Sequence, residues 1–132
     1  MKIIELFVEY RYYYFMGVKI TIMLSFFSLI IGTTLGGILS LLRLSKFKPL
    51  KAVATAYIEL IRGTPMMVQI ALVFFGSYAL LGLDMDRFIA ALIAVSLNSA
   101  AYVAEIIRSG IQSVDIGQWE ASRSLGLSSS QT

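Results

Sequence analysis

The chain has 132 residues, of which 58% are hydrophobic and 14% charged, and its formal net charge is +3. A soluble domain usually carries about 25% charged residues, so this composition favours a protein embedded in a membrane. The absence of Cys and His excludes disulfides, thiolate nucleophiles, imidazole bases and the usual zinc ligands. The basic residues lie beside apolar runs, which indicates membrane topology as their role instead of nucleic-acid binding.

The chain begins with an aromatic-rich segment, residues 1–16, interpreted as an interfacial lead-in because Tyr rings favour the membrane–water boundary. An amphipathic helix packed on the protein is an equal alternative. Residues 20–42 carry no charge and are long enough to cross a hydrocarbon core of about 30 Å, so we predict a first transmembrane helix at 17–42. Gly32 and Gly36 form a G-x-x-x-G pattern, typical of a close helix or subunit contact, although glycine is generally frequent in membrane helices.

A basic stretch without acidic residues follows this helix: Arg43, Lys46, Lys48 and Lys51. Positive charges beside a helix end favour the cytoplasmic side, so the N-terminus is predicted to lie outside.

A second transmembrane helix is predicted at 52–83, with a kink near Pro65 because a straight helix of this length exceeds the bilayer core. A third is predicted at 87–108. The polar segment 113–127 predicts a short cytoplasmic helix, since Asp115 followed by Gln118 resembles a capping box. The sequence therefore predicts an all-α, polytopic membrane protein with one domain over residues 1–132.

The residues present offer no catalytic constellation, metal-binding cluster or phosphate-binding loop, so an enzyme with its own active site is not expected. Transport, gating and scaffolding remain. Polar groups at membrane depth are candidates for a translocation path or for interhelical hydrogen bonds without a ligand. These candidates are Thr64, Gln69, Asn98 and Ser99.

Three segments, in order, resemble permease subunits of ABC importers for polar amino acids of the His, Glu, Gln, Arg and opine type. Residues 59–69 resemble the R-G-T-P-x-x-V-Q segment of that subfamily, and residues 101–111 are similar to its A-Y-x-x-E-x-x-R-x-G-I segment. Residues 117–126 resemble the EAA loop and its G-Q-x-E-A approach, with Ser122 in place of a second alanine.

The resemblance implies the ABC type-1 permease fold, a subunit that forms the translocation path, and a loop that couples it to an ATP-binding subunit. ATP and Mg²⁺ are then expected on that partner, with no cofactor on this chain. The implied coupling residues are Gly117, Gln118, Glu120, Ala121, Ser122 and Gly126. A structural polar motif is expected at Glu59, Arg62, Gly63, Pro65, Tyr102, Glu105, Arg108 and Gly110.

The resemblance also implies a second permease subunit, an extracytoplasmic solute-binding protein and a location in the bacterial inner membrane. The family's pattern continues beyond Gly126 into further helices, so this chain is expected to be an N-terminal portion with about three of five spans. The alternatives are a permease of the same fold for another small nutrient, a membrane scaffold without an ATPase partner, and a self-sufficient channel.

Overall fold

The computed structural model describes residues 2–132, which form five α-helices joined by short connections. The helices are α1 (Lys2–Leu44), α2 (Lys48–Arg62), α3 (Met66–Leu81), α4 (Arg87–Gln112) and α5 (Ile116–Ser124). Two of them, α1 and α4, are long and apolar enough to cross a membrane. The described residues therefore agree with the predicted all-α class.

The first helix differs from the prediction because residues 2–16 do not form a separate element. The 43 residues of α1 are continuous and correspond to about 64 Å. No proline interrupts them, and Gly17 is accommodated inside the helix. Residues 4–23 are exposed, so this part of α1 packs on no other described helix.

The predicted second span is also different, because residues 52–83 do not form one kinked helix. The axes of α2 and α3 meet at 106° across residues 63–65. Pro65 has no N–H to donate to the preceding turn, and it favours an extended conformation for Thr64, so the helix stops at Arg62 and restarts at Met66. In place of one predicted span, the chain has two short helices that meet at a sharp bend.

The closest contact in the fold joins α1 to α4 through small residues. The buried positions of α1 recur every fourth residue, at Ser28, Gly32, Gly36 and Ser40. A Cβ atom at Gly32 would stand only 2.6 Å from the Cβ of Ser99 on α4. The G-x-x-x-G pattern is therefore a helix–helix contact within this chain, in which the two backbones approach closely.

A small apolar core lies where α2 crosses this pair of helices. Ile58 of α2 is fully buried against Ala101 and Ala104 of α4, and Leu39 of α1 packs at its edge. The hydroxyl of Tyr57 donates to the carbonyl oxygen of Leu97 at 3.0 Å. These contacts fix α2 against α1 and α4 and place its C-terminal end beside the polar residues described next.

Candidate functional site

The C-terminal helix α5 is built as a defined, short element. Asp115 is the N-cap residue of α5, as the capping-box pattern predicts, and its carboxylate accepts from the N–H of Gly117 instead of that of Gln118. At the other end Gly126 has a φ of +84°, the left-handed conformation that favours glycine. The N–H groups of Gly126 and Leu127 donate to the carbonyls of Arg123 and Ser122, which closes the last turn.

α5 packs on none of the other helices within residues 2–132. Its apolar side chains are nevertheless large and exposed: Ile116 is 74% exposed, Trp119 52% and Leu125 83%. Glu120 and Ala121 are also exposed, and the guanidinium of Arg123 lies 5.9 Å from the centre of the Trp119 ring. A helix with an uncovered apolar and acidic surface is suited to bind another protein.

Some of the predicted coupling residues form the exposed surface of α5, and the others determine the conformation of the helix. Ser122 is half-buried because its hydroxyl donates to the carbonyl of Gln118 at 2.8 Å. Gly117 lies so close to its cap that a Cβ atom there would stand 2.9 Å from the Asp115 carboxylate. Glycine at 117 and 126 therefore shapes α5, whereas Glu120 and Ala121 form its exposed surface.

Charged side chains from three helices meet at Glu105. Its carboxylate is bound by Arg108 at 2.5 Å, by Arg62 at 3.6 Å and by Arg43 in a short ion pair. Arg43 also reaches Glu59, at 3.7 Å. We call these five residues the Glu105 cluster. Because its members belong to α1, α2 and α4, the cluster holds the C-terminal ends of these three helices together.

The structure brings together Glu59, Arg62, Glu105 and Arg108 of the predicted structural polar motif and adds Arg43 to them. Arg43 has no motif around it, and as one of several basic residues after an apolar run it points only to topology. No local signal in the sequence identifies Arg43 as the partner of Glu105, because the two residues are 62 positions apart. The side chain of Arg43 is only 16% exposed, against 68% for Glu59.

Of the remaining members of the structural polar motif, Tyr102 contacts the Glu105 cluster. The Arg62 guanidinium lies 5.4 Å from the centre of the Tyr102 ring, which is a cation–π contact. Arg108 also donates to the side chain of Gln112, the last residue of α4. Gly110 stands in open space, so the structure gives no steric reason for glycine there.

The break between α2 and α3 is held by Gln69. Its amide nitrogen donates to the carbonyl oxygens of Ile61, at 2.7 Å, and Thr64, at 2.9 Å. Its amide oxygen accepts from Asn98 of α4 at 3.3 Å. Carbonyl groups freed at a helix end in a membrane need such partners, so Gln69 stabilises the bent conformation and attaches it to α4.

The four residues predicted for a translocation path therefore have different surroundings. Thr64 and Gln69 line a cavity of about 160 Å³ in the corner between α2, α3 and α4. Asn98 touches this corner through its bond to Gln69. Ser99 lies instead in the close contact between α1 and α4, against Gly32 of α1. Within residues 2–132 no three acidic side chains gather in a way that could hold a metal ion.

Comparison with known proteins gives one matching family. Residues 28–132 match the family described as binding-protein-dependent transport system inner membrane component. The arginine transport system permease protein ArtQ of Bacillus subtilis (strain 168) is 49% identical over 111 residues, which cover 84% of this chain and 51% of that protein. The probable amino-acid ABC transporter permease protein YckA of the same organism is 47% identical and covers 91% and 53%, respectively.

A solved structure supports the same relationship. A crystal structure of an amino acid ABC transporter with histidines aligns with a TM-score of 0.85 and 45% identity, over 93% of this chain and 57% of that one. The chain spans about half the length of the curated relatives it matches. Those relatives are named as transport permeases and not as enzymes.

Proposed function

Because this chain belongs to the family of binding-protein-dependent transport system inner membrane components, we propose that it acts in a permease subunit of an ATP-driven importer of amino acids. Its relatives are named for arginine and for amino acids in general, and this supports amino acids as the substrate class. ATP and Mg²⁺ are assigned to a partner ATP-binding subunit, with this chain in the membrane-spanning part.

One observation carries the proposal. α5 has a cap at one end, a left-handed glycine at the other and a large exposed surface that no described helix covers. Trp119 supplies an apolar anchor, Glu120 supplies a negative charge, and Ala121 lets another backbone approach closely. We assign this surface to the ATP-binding subunit, so that movement of that subunit is passed to α4 through residues 113–115.

The ends held by the Glu105 cluster support the proposed orientation. Arg43 closes α1 and Glu105 lies near the end of α4, so these two ends share one side of the membrane. The lysines after α1 lie on that side, which favours the cytoplasm. α5 follows α4 directly and is therefore assigned to the cytoplasm, with the N-terminus outside.

The corner between α2 and α3 is the part of this chain that we assign to the translocation path. It places Thr64 and Gln69 at a cavity, beside backbone groups exposed by the helix break. A complete path would also need a second permease subunit, and delivery of the substrate would need a solute-binding protein outside. Both partners belong to the proposal.

The test is binding of the ATP-binding subunit of the source organism's amino-acid importer to the detergent-solubilised chain. We expect co-purification with the unchanged chain and at least about tenfold weaker binding for Glu120→Arg and for Trp119→Ala, because each removes a central contact of a buried interface. Glu9→Arg is the matched control, since it makes the same charge change at the far end of α1.

Two results would contradict the proposal. Equal binding by the unchanged chain and Glu120→Arg would remove the docking role of α5. Failure of the unchanged chain to bind any ATP-binding subunit would favour a membrane scaffold. A further discriminating result is current from the chain reconstituted by itself, which would support a self-sufficient channel.

A further inference from the structure

α2 has three distinct faces, which is unusual for a helix that follows a transmembrane segment so closely. One face, with Ala54 and Ile58, is buried against α1 and α4. A second, with Val53 and Leu60, is apolar but exposed, at 70% and 67%. The third is polar. A helix packed on one side, apolar on another and charged on the third is suited to a membrane–water boundary.

Three lysines lie at the start of α2 or just before it: Lys46 precedes the helix, and Lys48 and Lys51 belong to its first turn. We call them the lysine cluster. All three are exposed. None forms an ion pair with any acidic side chain in the described part of the chain; Glu59, the acid on the same face of α2, contacts Arg43 instead. The cluster therefore keeps its full positive charge.

The backbone at this point adds to the positive potential. Phe47 is the N-cap residue of α2 and gives no side-chain hydrogen bond to the helix. The first N–H groups of a helix carry partial positive charge, and here no acidic side chain caps them. Phe47 is itself 60% exposed, so an exposed apolar side chain lies next to Lys46 and Lys48 in the sequence.

We propose that α2 lies in the membrane interface and that the lysine cluster binds the phosphate of an anionic phospholipid headgroup. The alkyl stems of the lysines lie along the apolar surface and their ammonium groups reach the headgroup level. Phe47 and Val53 contact the acyl chains. The positive charge of the lysine cluster then has two roles: it favours one membrane topology, and it binds lipid.

The experiment measures which lipids stay bound. The chain is placed in nanodiscs of phosphatidylcholine and phosphatidylglycerol in equal amounts, and the retained lipids are counted by native mass spectrometry. We expect enrichment of phosphatidylglycerol, and its loss by about fivefold for each lysine removed, in K46Q, K48Q and K51Q and in their combination. Both leaflets have the same composition, so the result does not depend on the orientation proposed above or on the ATP-binding subunit.

The control variant combines R11Q, K19Q and R87Q, which removes the same charge from the opposite ends of α1 and α4. It should keep the enrichment. Equal loss in both triple variants would show a general effect of net charge and overturn the proposal, as would equal retention of the two lipids by the unchanged chain. Displacement of the lipid by inorganic phosphate would assign the site to a free anion instead. The single variant K51Q, at an exposed position, gives the answer if the triple variant does not fold.

Discussion

Gly36 of α1 lies directly against Val103 of α4: a Cβ atom built at Gly36 would stand 2.7 Å from the Cβ of Val103 and 2.9 Å from the carbonyl oxygen of Ala100. Such distances do not occur between real side chains, so the two helices are as close as glycine allows. The neighbouring Gly37 has no atom within 4 Å of a Cβ at that position. Gly36 and Gly37 therefore form a matched pair of positions for testing this contact.

Gly36→Ala is expected to destabilise the α1–α4 contact by about 1–3 kcal/mol, because the added methyl group must displace backbone atoms. Gly37→Ala should raise stability slightly, since alanine is the better helix former by about 1 kcal/mol. The measurement is the thermal midpoint of the detergent-solubilised chain, followed by size exclusion after heating. Equal midpoints for the two variants would contradict the close packing.

Glu105→Gln should be far more damaging than Glu59→Gln, although both remove one negative charge. Glu105 is bound by three arginines, and its amide would direct N–H groups at guanidinium donors, which should cost about 2 kcal/mol. Glu59 is mostly exposed and has one contact at 3.7 Å, so its loss should cost less than about 1 kcal/mol. The thermal midpoint is measured as for the glycine variants. A larger decrease for Glu59→Gln than for Glu105→Gln would contradict the central role of Glu105 in the cluster.

Gln69→Leu should release the break between α2 and α3. The variant keeps the side-chain size but removes the side-chain donor to the carbonyl oxygen of Thr64 and leaves that of Ile61 with only the 3.3 Å bond from the Thr64 N–H, at a cost of about 1–3 kcal/mol. Asn98→Ala removes only the 3.3 Å bond to the amide oxygen and should have the smaller effect. Hydrogen exchange of residues 61–69 reports on this directly, and faster exchange in Asn98→Ala than in Gln69→Leu would reverse the assignment.

Gly126→Ala should loosen the end of α5, because its φ of +84° costs an L-residue about 1–2 kcal/mol. Gly126→Asn should be tolerated better, since asparagine adopts the left-handed conformation more readily. Gly110→Ala, in open space on α4, is the control. Amide exchange over residues 122–127 should increase in the alanine variant alone; unchanged exchange there would mean that the helix end is fixed by something else.

The sequence predicts that apolar helices are present at 17–42 and 87–108, because a run without charge has one stable environment, the bilayer, but it does not predict that α1 begins at Lys2. The short helix α5 is equally visible, since Asp115 and Gly126 are local signals that act within one or two turns. The family follows from short motifs, and the match over residues 28–132 confirms it.

Other features depend on contacts between residues that are far apart in the sequence, and these features cannot be predicted from the sequence. Arg43 and Glu105 are 62 residues apart, and nothing near Arg43 identifies its partner. The role of Gln69 requires the 106° bend, because only then do two freed carbonyl oxygens face one amide. Proline and glycine predict that a helix breaks, but the side chains that satisfy the broken end decide its angle.

α4 is the helix that contacts α1, α2 and α3 alike within the described chain; α3 packs along α4 and reaches α2 only beside the break, through the hydrogen bond from Gln69 to Ile61. These contacts differ in stiffness. At Gly36 the backbones of α1 and α4 are in direct contact, so these two helices should move together as one rigid body. α3 is held against α4 mainly by apolar side chains and by one long hydrogen bond between the side-chain amides of Asn98 and Gln69. Movement between helices should therefore concentrate at the α3–α4 boundary, and a force on the C-terminal end of α4 should displace α4 relative to α3 first.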